Sequence, residues 1–417
     1  MTTIINAIPS KSIYHRVSIC SFIKELQGNG RCVPVWNFDE FRLSDDMEAT
    51  KESLARVEAL CMATAKAKAM RRQVPDYIPV LDIKESGATL RFMLSLVSAL
   101  GISAEFRTGG CLLSRPLKEL TTALTKGGCN FFIDEGKGII RTGGQLKGGD
   151  YSISGRNSSQ FASGLLMALP ILGGNSTLTI EKPIVSPSYI DMTLNILNDF
   201  EISIIKMEET DSMIKFHIPG DQQFRGPESY NIEGDWSNGA FWLGAEQITG
   251  NRFLIKGLNT VSLQADRKIV EYIKLMRGEG KVVIDGSTTP DLVPIVAVMA
   301  MAREGETVIE NIEFLRNKES DRISGIQEIL KACGGEFTYE DGTLRITGMN
   351  QGDVENSTPE FIYISTKDHR MVMMAVLASF LTKDPILIDG WENINKSYPG
   401  FFAQLHKAEL DGNIGRA

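Results

Sequence analysis

The sequence predicts an α/β protein of two similar domains, each assembled from repeated helix–turn–strand units. Three observations carry this. The chain has 417 residues, too many for one ordinary core. An apolar helical run, a Gly or polar turn and a β-rich run recur in that order along the chain. More charged helical patterns alternate with these runs.

The apolar runs come in order as "VSICSFIKELQGNGRCVPV", "FMLSLVSALGISAEF", "SGLLMALPILGGNSTLTI", "FWLGAEQITGNRFLIKG", "VPIVAVMAMAREGETVIENI" and "VMMAVLASFLTKDPILIDG". The charged helices are "PLKELTTALTKGG", "YIDMTLNILNDF", "DRKIVEYIKLMRGEG" and "RISGIQEILKACGG", with "MEATKESLARVEAL" and "FFAQLHKAEL" less regular. In "RISGIQEILKACGG", Ile323, Ile326, Ile329, Leu330 and Cys333 form one helical stripe, and Gly334 suits the turn after it. Units of roughly 70 residues cannot bury a core alone and must pack on neighbours. Two sets of three give two domains, and ligands favour the cleft between such domains. Residues 31–83 are the least regular, and their strands cannot be placed.

Hydrophobic content of 42% and charged content of 23% indicate a soluble globular protein. The longest apolar run, "LVPIVAVMAMA", contains Pro294 and falls short of a membrane span. "MTTIINAIPSKS" lacks a charged segment followed by an apolar one, so no signal peptide is expected. Six cysteines and four histidines are dispersed without metal spacing. Reduced thiols, a cytoplasmic location and no metal are therefore expected. A net charge of −8 argues against a nucleic-acid partner but leaves room for a local cationic pocket.

Such a pocket is suggested by what precedes the apolar helices. In "PSKSIYHR", Lys11 lies between Ser10 and Ser12, and Arg16 follows one turn after Ser12. A helix starting there offers free N–H groups, a hydroxyl and two cations to a phosphate, although a plain Ser cap fits as well. "KESGATLRF" puts Gly87 and Arg91 at another helix start, and glycine there allows close approach to the backbone. In "LLSRPLKEL", Arg115 precedes Pro116, which suits the first position of a helix and leaves the guanidinium in the connection. "GRNSSQFASG" supplies Ser158, Ser159 and Gln160, donors that orient a polyol or simply cap a helix. Asp291, the group Asp368, His369 and Arg370, and the loop residue Lys396 complete the series.

"RNKESDR" (316–322) alternates Arg316, Lys318, Glu319, Asp321 and Arg322 at the start of a helix. Exposed pairs of this kind contribute only about 0–1 kcal/mol each, which leaves room for a chemical role. A pocket of Lys11, Arg16, Arg91, Arg115, Lys318, Arg322, Arg370 and Lys396 with few acids calls for a multiply anionic ligand.

The combination of "SKSIYHR", "NSSQF", "KESDR" and "DHRM", together with "VSPSYIDMTL", "IEGDWSNGAFWL" and "NKSYPGFF", resembles the enolpyruvyl transferases acting on shikimate 3-phosphate. The resemblance runs through nearly the whole chain. It implies an inside-out α/β barrel in each of two domains, each of three βαβαββ units, with the active site in the interdomain cleft. The chain would cross twice, giving residues 10–233 as the first domain and 1–9 plus 234–417 as the second. It also implies a monomer whose partners are shikimate 3-phosphate and phosphoenolpyruvate, and a reaction without cofactor, metal, nucleic acid or membrane.

By motif position, Asp291 is implied as the base at the 5-hydroxyl and Glu319 as the proton donor and acceptor, with Lys11 sharing proton transfer. The shikimate 3-phosphate residues implied are Lys11, Ser12, Arg16, Ser158, Ser159, Gln160, Ser186, Tyr189, Asp291 and Lys318. Those for phosphoenolpyruvate are Lys11, Gly87, Arg115, Gln160, Arg322, Arg370 and Lys396, with Arg91 and His369 one step behind the ligands. Pro9, Glu85, Ala88 and Phe92 depart from the usual motifs. Glu85 is expected to point away from the anion site or to pair with Arg91.

Two other readings stand beside this one. "GGCLLSRP" resembles the cysteine loop of the sister enzyme acting on UDP-N-acetylglucosamine, with Cys111 as its thiol. A non-catalytic anion-binding paralogue would keep the scaffold but has no need of Lys11, Asp291 and Glu319 together.

Overall fold

Four of the six apolar helices begin on a side chain that caps them. Ser86, Ser158, Asp235 and Asp368 accept from the backbone N–H of Thr89, Gln160, Asn238 and Arg370. Each cap satisfies a donor that the first helical turn leaves open. The helices that follow are Gly87–Leu100, Ser159–Ala168, Trp236–Thr249 and His369–Ala378, and Lys11–Leu26 and Val293–Met301 complete the set. All ten residues of His369–Ala378 and all nine of Val293–Met301 are buried. Helices buried all round carry no polar stripe, so their chemistry gathers at their ends.

The computed structural model describes residues 2–36, 42–75, 77–348 and 361–410. The chain divides into two compact units. One comprises the described parts of Met1–Ser10, Phe38–Ser44 and Glu233–Ala417, the other Lys11–Asn37 and Asp45–Ile232. Each has its own hydrophobic core.

The repeat is plain in the sheets. Strand Val80–Lys84, helix Gly87–Leu100, strand Ala104–Thr108, helix Lys118–Lys126 and the hairpin Cys129–Asp134 with Ile139–Gly144 form one βαβαββ unit. The first two strands pair parallel, and the hairpin adds antiparallel strands. The same order of pairing recurs from Asp150–Ser154 to Met213–Ile218 and from Val282–Asp285 to Thr343–Thr347.

The other three repeats show two-stranded parallel sheets. Ile362–Ser365 pairs with Ile386–Asp389. In two cases a distant part of the chain supplies the partner: Thr2–Asn6 pairs with Arg252–Lys256, and Ser229–Asn231 with Val33–Val35. Pro9 bridges Gly234 within the first of the two units.

The irregular segment 31–83 contains strand Val33–Val35 and the 25-residue helix Asp45–Ala69. Asp45, Asp46 and Glu48 in its first turn and Lys66 and Lys68 in its last match the helix dipole. Residues 37–41 and 76 of that segment lie outside the described residues. Pro116 does not open a helix, contrary to expectation. Helix Lys118–Lys126 starts two residues later, and Arg115 is extended at ψ 148° after the short turn Leu112–Ser114. A residue before proline is sterically pushed out of the helical region. Among the described residues, no helix is long and apolar enough to cross a membrane.

Candidate active site

In the unit containing Lys11, the predicted residues lie at the starts of four helices, Lys11–Leu26, Gly87–Leu100, Ser159–Ala168 and Ser188–Asp199, except Arg115, which lies in a connection. Lys11 Nζ is 2.7 Å from Asp46 Oδ2, a pairing that no local pattern announces because Asp46 sits in the irregular segment. Ser158 caps the helix that starts at Ser159. Ser186 is buried and left-handed at φ 54°, just before the helix that carries Tyr189.

Arg16, expected at the shikimate 3-phosphate site, is buried. It donates to Thr193 Oγ1 (2.7 Å), Ser12 O (2.8 Å), Ser163 Oγ (3.1 Å) and Tyr189 O (3.2 Å). Its guanidinium also sits over the rings of Phe92 and Tyr189. Burial lowers its pKa to about 10. Its geometry is that of a brace between Ser12 and Tyr189.

Gly87 faces two guanidinium groups. A methyl group added there would lie 2.5 Å from Arg91 Nη1 and 3.0 Å from Arg115 Nη1. Arg91 donates to Gly87 O, Gln160 Oε1 and Pro116 O, and it lies over Phe161. Burial, then the like charge of Arg115, pushes its pKa well down. The Nε atoms of Arg91 and Arg115 are buried without an acceptor among the described residues. Two such cations thus stand beside a stretch of backbone that carries no side chain. Glu85 turns its carboxylate to the loop at Gly110, where an added methyl group would meet it at 2.6 Å.

In the unit containing Glu319, acids and cations interlock. Arg322 Nε is 2.8 Å from Asp368 Oδ2, and its Nη1 is 2.8 Å from Asp291 Oδ1. Arg370 Nη2 is 3.1 Å from the other oxygen of Asp291. Burial would raise the Asp291 pKa, but Arg370, Arg322 and Lys318 outweigh it and hold the carboxyl well below the usual range. Burial opposes the charge on Arg322, yet Asp368, Asp291 and Glu319 raise its pKa overall.

His369 Nδ1 lies 2.8 Å from Glu319 Oε2. Lys318 Nζ rests over the Phe314 ring, and Lys396 Nζ donates to Lys367 O at 2.6 Å. Glu319, Asp368 and His369 bring ligand atoms within 4.8 Å of one another, a cluster that their sequence spacing did not suggest. Each of the three already has a protein partner.

"RNKESDR" divides in two. Arg316 pairs with Glu313 and Asp321, and Asp321 caps helix Arg322–Ala332. Lys318, Glu319 and Arg322 take other partners. Asp368 ties Arg322 to the N–H of Arg370. Its place in "DHRM" was visible in the sequence, but its role as an anchor was not.

This architecture defines a class, the enolpyruvyl transferase fold. An EPSP synthase from Acinetobacter baumannii aligns over 98% of this chain and 95% of its own, with TM-score 0.70 and 21% identity. The enolpyruvyl transferase NikO from Streptomyces tendae covers 98% of this chain and 94% of its own, with TM-score 0.64 and 14% identity. At such identities the likeness speaks for the fold.

The chain belongs to the EPSP synthase (3-phosphoshikimate 1-carboxyvinyltransferase) family, whose sequence profile matches residues 1–405. A 3-phosphoshikimate 1-carboxyvinyltransferase of Clostridium kluyveri is 35% identical over 423 aligned positions, 97% of this chain and 94% of the relative. One from Clostridioides difficile is 32% identical, covering 94% and 92%.

Proposed function

We propose that this protein transfers the enolpyruvyl group of phosphoenolpyruvate to the 5-hydroxyl of shikimate 3-phosphate and releases phosphate. The family membership supports this reading over the UDP-N-acetylglucosamine enzyme. The observation that carries it to residues is the Asp291 carboxylate held between Arg322 and Arg370, beside the Glu319–His369 pair.

Glu319 protonates the methylene carbon of phosphoenolpyruvate and later takes a proton back, with His369 steadying its carboxylate. Lys11 shares that proton transfer. Asp291 accepts the proton of the 5-hydroxyl as it adds to the cationic carbon. Asp291 is a poor base while both its oxygens serve guanidinium groups. The phosphoenolpyruvate anion takes over Arg322 and Arg370, and Asp291 becomes basic when its substrate is in place. Elimination of phosphate then restores the enol ether.

Shikimate 3-phosphate is assigned to Lys11, Ser12, Arg16, Ser158, Ser159, Gln160, Ser186, Tyr189, Asp291 and Lys318, and Arg16 also braces Ser12 and Tyr189. Phosphoenolpyruvate is assigned to Lys11, Gly87, Arg115, Gln160, Arg322, Arg370 and Lys396, with Arg91 behind Gly87. The two domains of the scheme are residues 10–233 and 1–9 plus 234–417. The reading is of a cytoplasmic monomer that works on small molecules and uses no cofactor.

Phosphate release from phosphoenolpyruvate, with and without shikimate 3-phosphate, tests this. Release that requires shikimate 3-phosphate is expected. Release that instead requires UDP-N-acetylglucosamine would overturn it.

A further inference from the structure

Asp266 is a carboxyl group for which the reaction scheme has no use. It is 1% exposed, in the short turn Ala265–Lys268. The Ser237 hydroxyl donates to its Oδ2, and Oδ1 has no hydrogen-bond partner among the described residues. The Ser237 carbonyl accepts from Arg370 Nη1 at 3.1 Å, and Asn238 Oδ1 accepts from the same nitrogen at 3.3 Å. A line of contacts thus runs from Asp266 through Ser237 to Arg370, and from Arg370 to Asp291.

The charges facing Asp266 are unfavourable to a second anion. Asp291 lies ahead of helix Val293–Met301, and Asp235 caps helix Trp236–Thr249. Tyr272 comes from helix Ile269–Met276, and the one cation among these neighbours, Arg370, is already shared by Asp291 and two carbonyl-type oxygens. A buried carboxylate with one oxygen unserved is costly. The Ser237 hydroxyl donates to Oδ2, and a proton on the group removes the second negative charge that would face Asp291. Burial first, and Asp291 second, push its pKa up to about 7.

Resting on the functional reading above, we propose that Asp266 is a positioning residue. As a neutral acid it fixes Ser237, and through it the aim of Arg370 at the phosphoenolpyruvate anion; when ionised it weakens that grip. The affinity for phosphoenolpyruvate then falls as Asp266 loses its proton, by at most about tenfold per pH unit for one titrating group.

Three proteins test this across pH 5.5–8.5: wild type, Asp266→Asn and Asp266→Ala. The wild-type KM for phosphoenolpyruvate should climb above about pH 7, more than kcat changes. Asp266→Asn should lack that climb, being a neutral isostere. Asp266→Ala should raise KM throughout, and Asn should restore it. A profile for Asp266→Asn that superimposes on wild type overturns the proposal.

Thermal melting gives a readout that needs no substrate. A carboxyl pKa raised above 3.8 in the folded state stabilises the protein at low pH, and that contribution is lost as pH rises through about 7. Asp266→Asn should therefore gain in Tm over wild type at pH 8.5 relative to pH 5.5. An equal difference at both pH values overturns the proposal, even if the wild type releases no phosphate and only the functional reading fails.

Discussion

His369 Nδ1 and Glu319 Oε2 stand 2.8 Å apart, with the imidazole 2% exposed and the carboxylate 12%. The carboxylate is thus fixed in direction but open enough to meet a ligand. A general acid–base group contributes typically about 10²–10⁴-fold to rate. Glu319→Gln keeps the shape and loses the titrating oxygen. Its turnover should fall by about that factor while KM for phosphoenolpyruvate moves little. Steady-state phosphate release measures both. Near wild-type turnover would remove Glu319 from the chemistry.

Gly87 is set apart by what lies opposite it. An added methyl group would press on Arg91 Nη1 at 2.5 Å and on Arg115 at 3.0 Å. Gly87→Ala should leave the helix intact, since alanine favours helices. It should shift the guanidinium groups, and a displacement near 1 Å can cost about 10²-fold. The expected result is a KM for phosphoenolpyruvate raised by about one to two orders of magnitude, with KM for shikimate 3-phosphate less affected. Equal loss for both substrates would point to general disruption.

Asp368 is fully buried, holds Arg322 through both oxygens and caps the helix carrying Arg370. Removing one partner of a buried ion pair costs about 3–5 kcal/mol. Asp368→Ala should lose about that much stability in urea denaturation, and Asp368→Asn less, since the amide oxygen can still accept. A wild-type midpoint for Asp368→Ala would show that Arg322 needs no buried counter-charge.

Much of this is legible in the sequence. The apolar runs marked the six repeated helices, two of them buried at every residue, and polar residues ahead of Gly87–Leu100, Ser159–Ala168 and His369–Ala378 cap them. Less was legible where partners come from far along the chain. Nothing local to Thr2–Asn6 announces Arg252–Lys256 as its neighbour. Nor could the contacts of Arg16 be read, since Thr193 and Ser163 lie 177 and 147 positions away. Asp46 and Asp266 escaped notice for the same reason: an acid's role depends on which cation or hydroxyl folding brings to it.

His15 offers a test by pH of the unit that contains Lys11. Its Nδ1 is 2.8 Å from Thr50 Oγ1, which meets Thr89 Oγ1 at 2.7 Å, and Thr89 also meets Ser86 at 2.7 Å. Burial first, then Lys11 and Arg16, push its pKa well below 6.5. The folded state therefore resists protonation that the unfolded chain accepts. Stability present above about pH 6.5 should be lost as the pH falls below it. Asp266 acts with the opposite sign in a neighbouring window, so each must be judged by its own variant. His15→Asn can keep the bond to Thr50 and does not titrate. It should be less stable than wild type at pH 7.5 and should lose less on acidification to pH 5 in urea titrations. An acid slope as steep as that of wild type would show that His15 is not the group responsible.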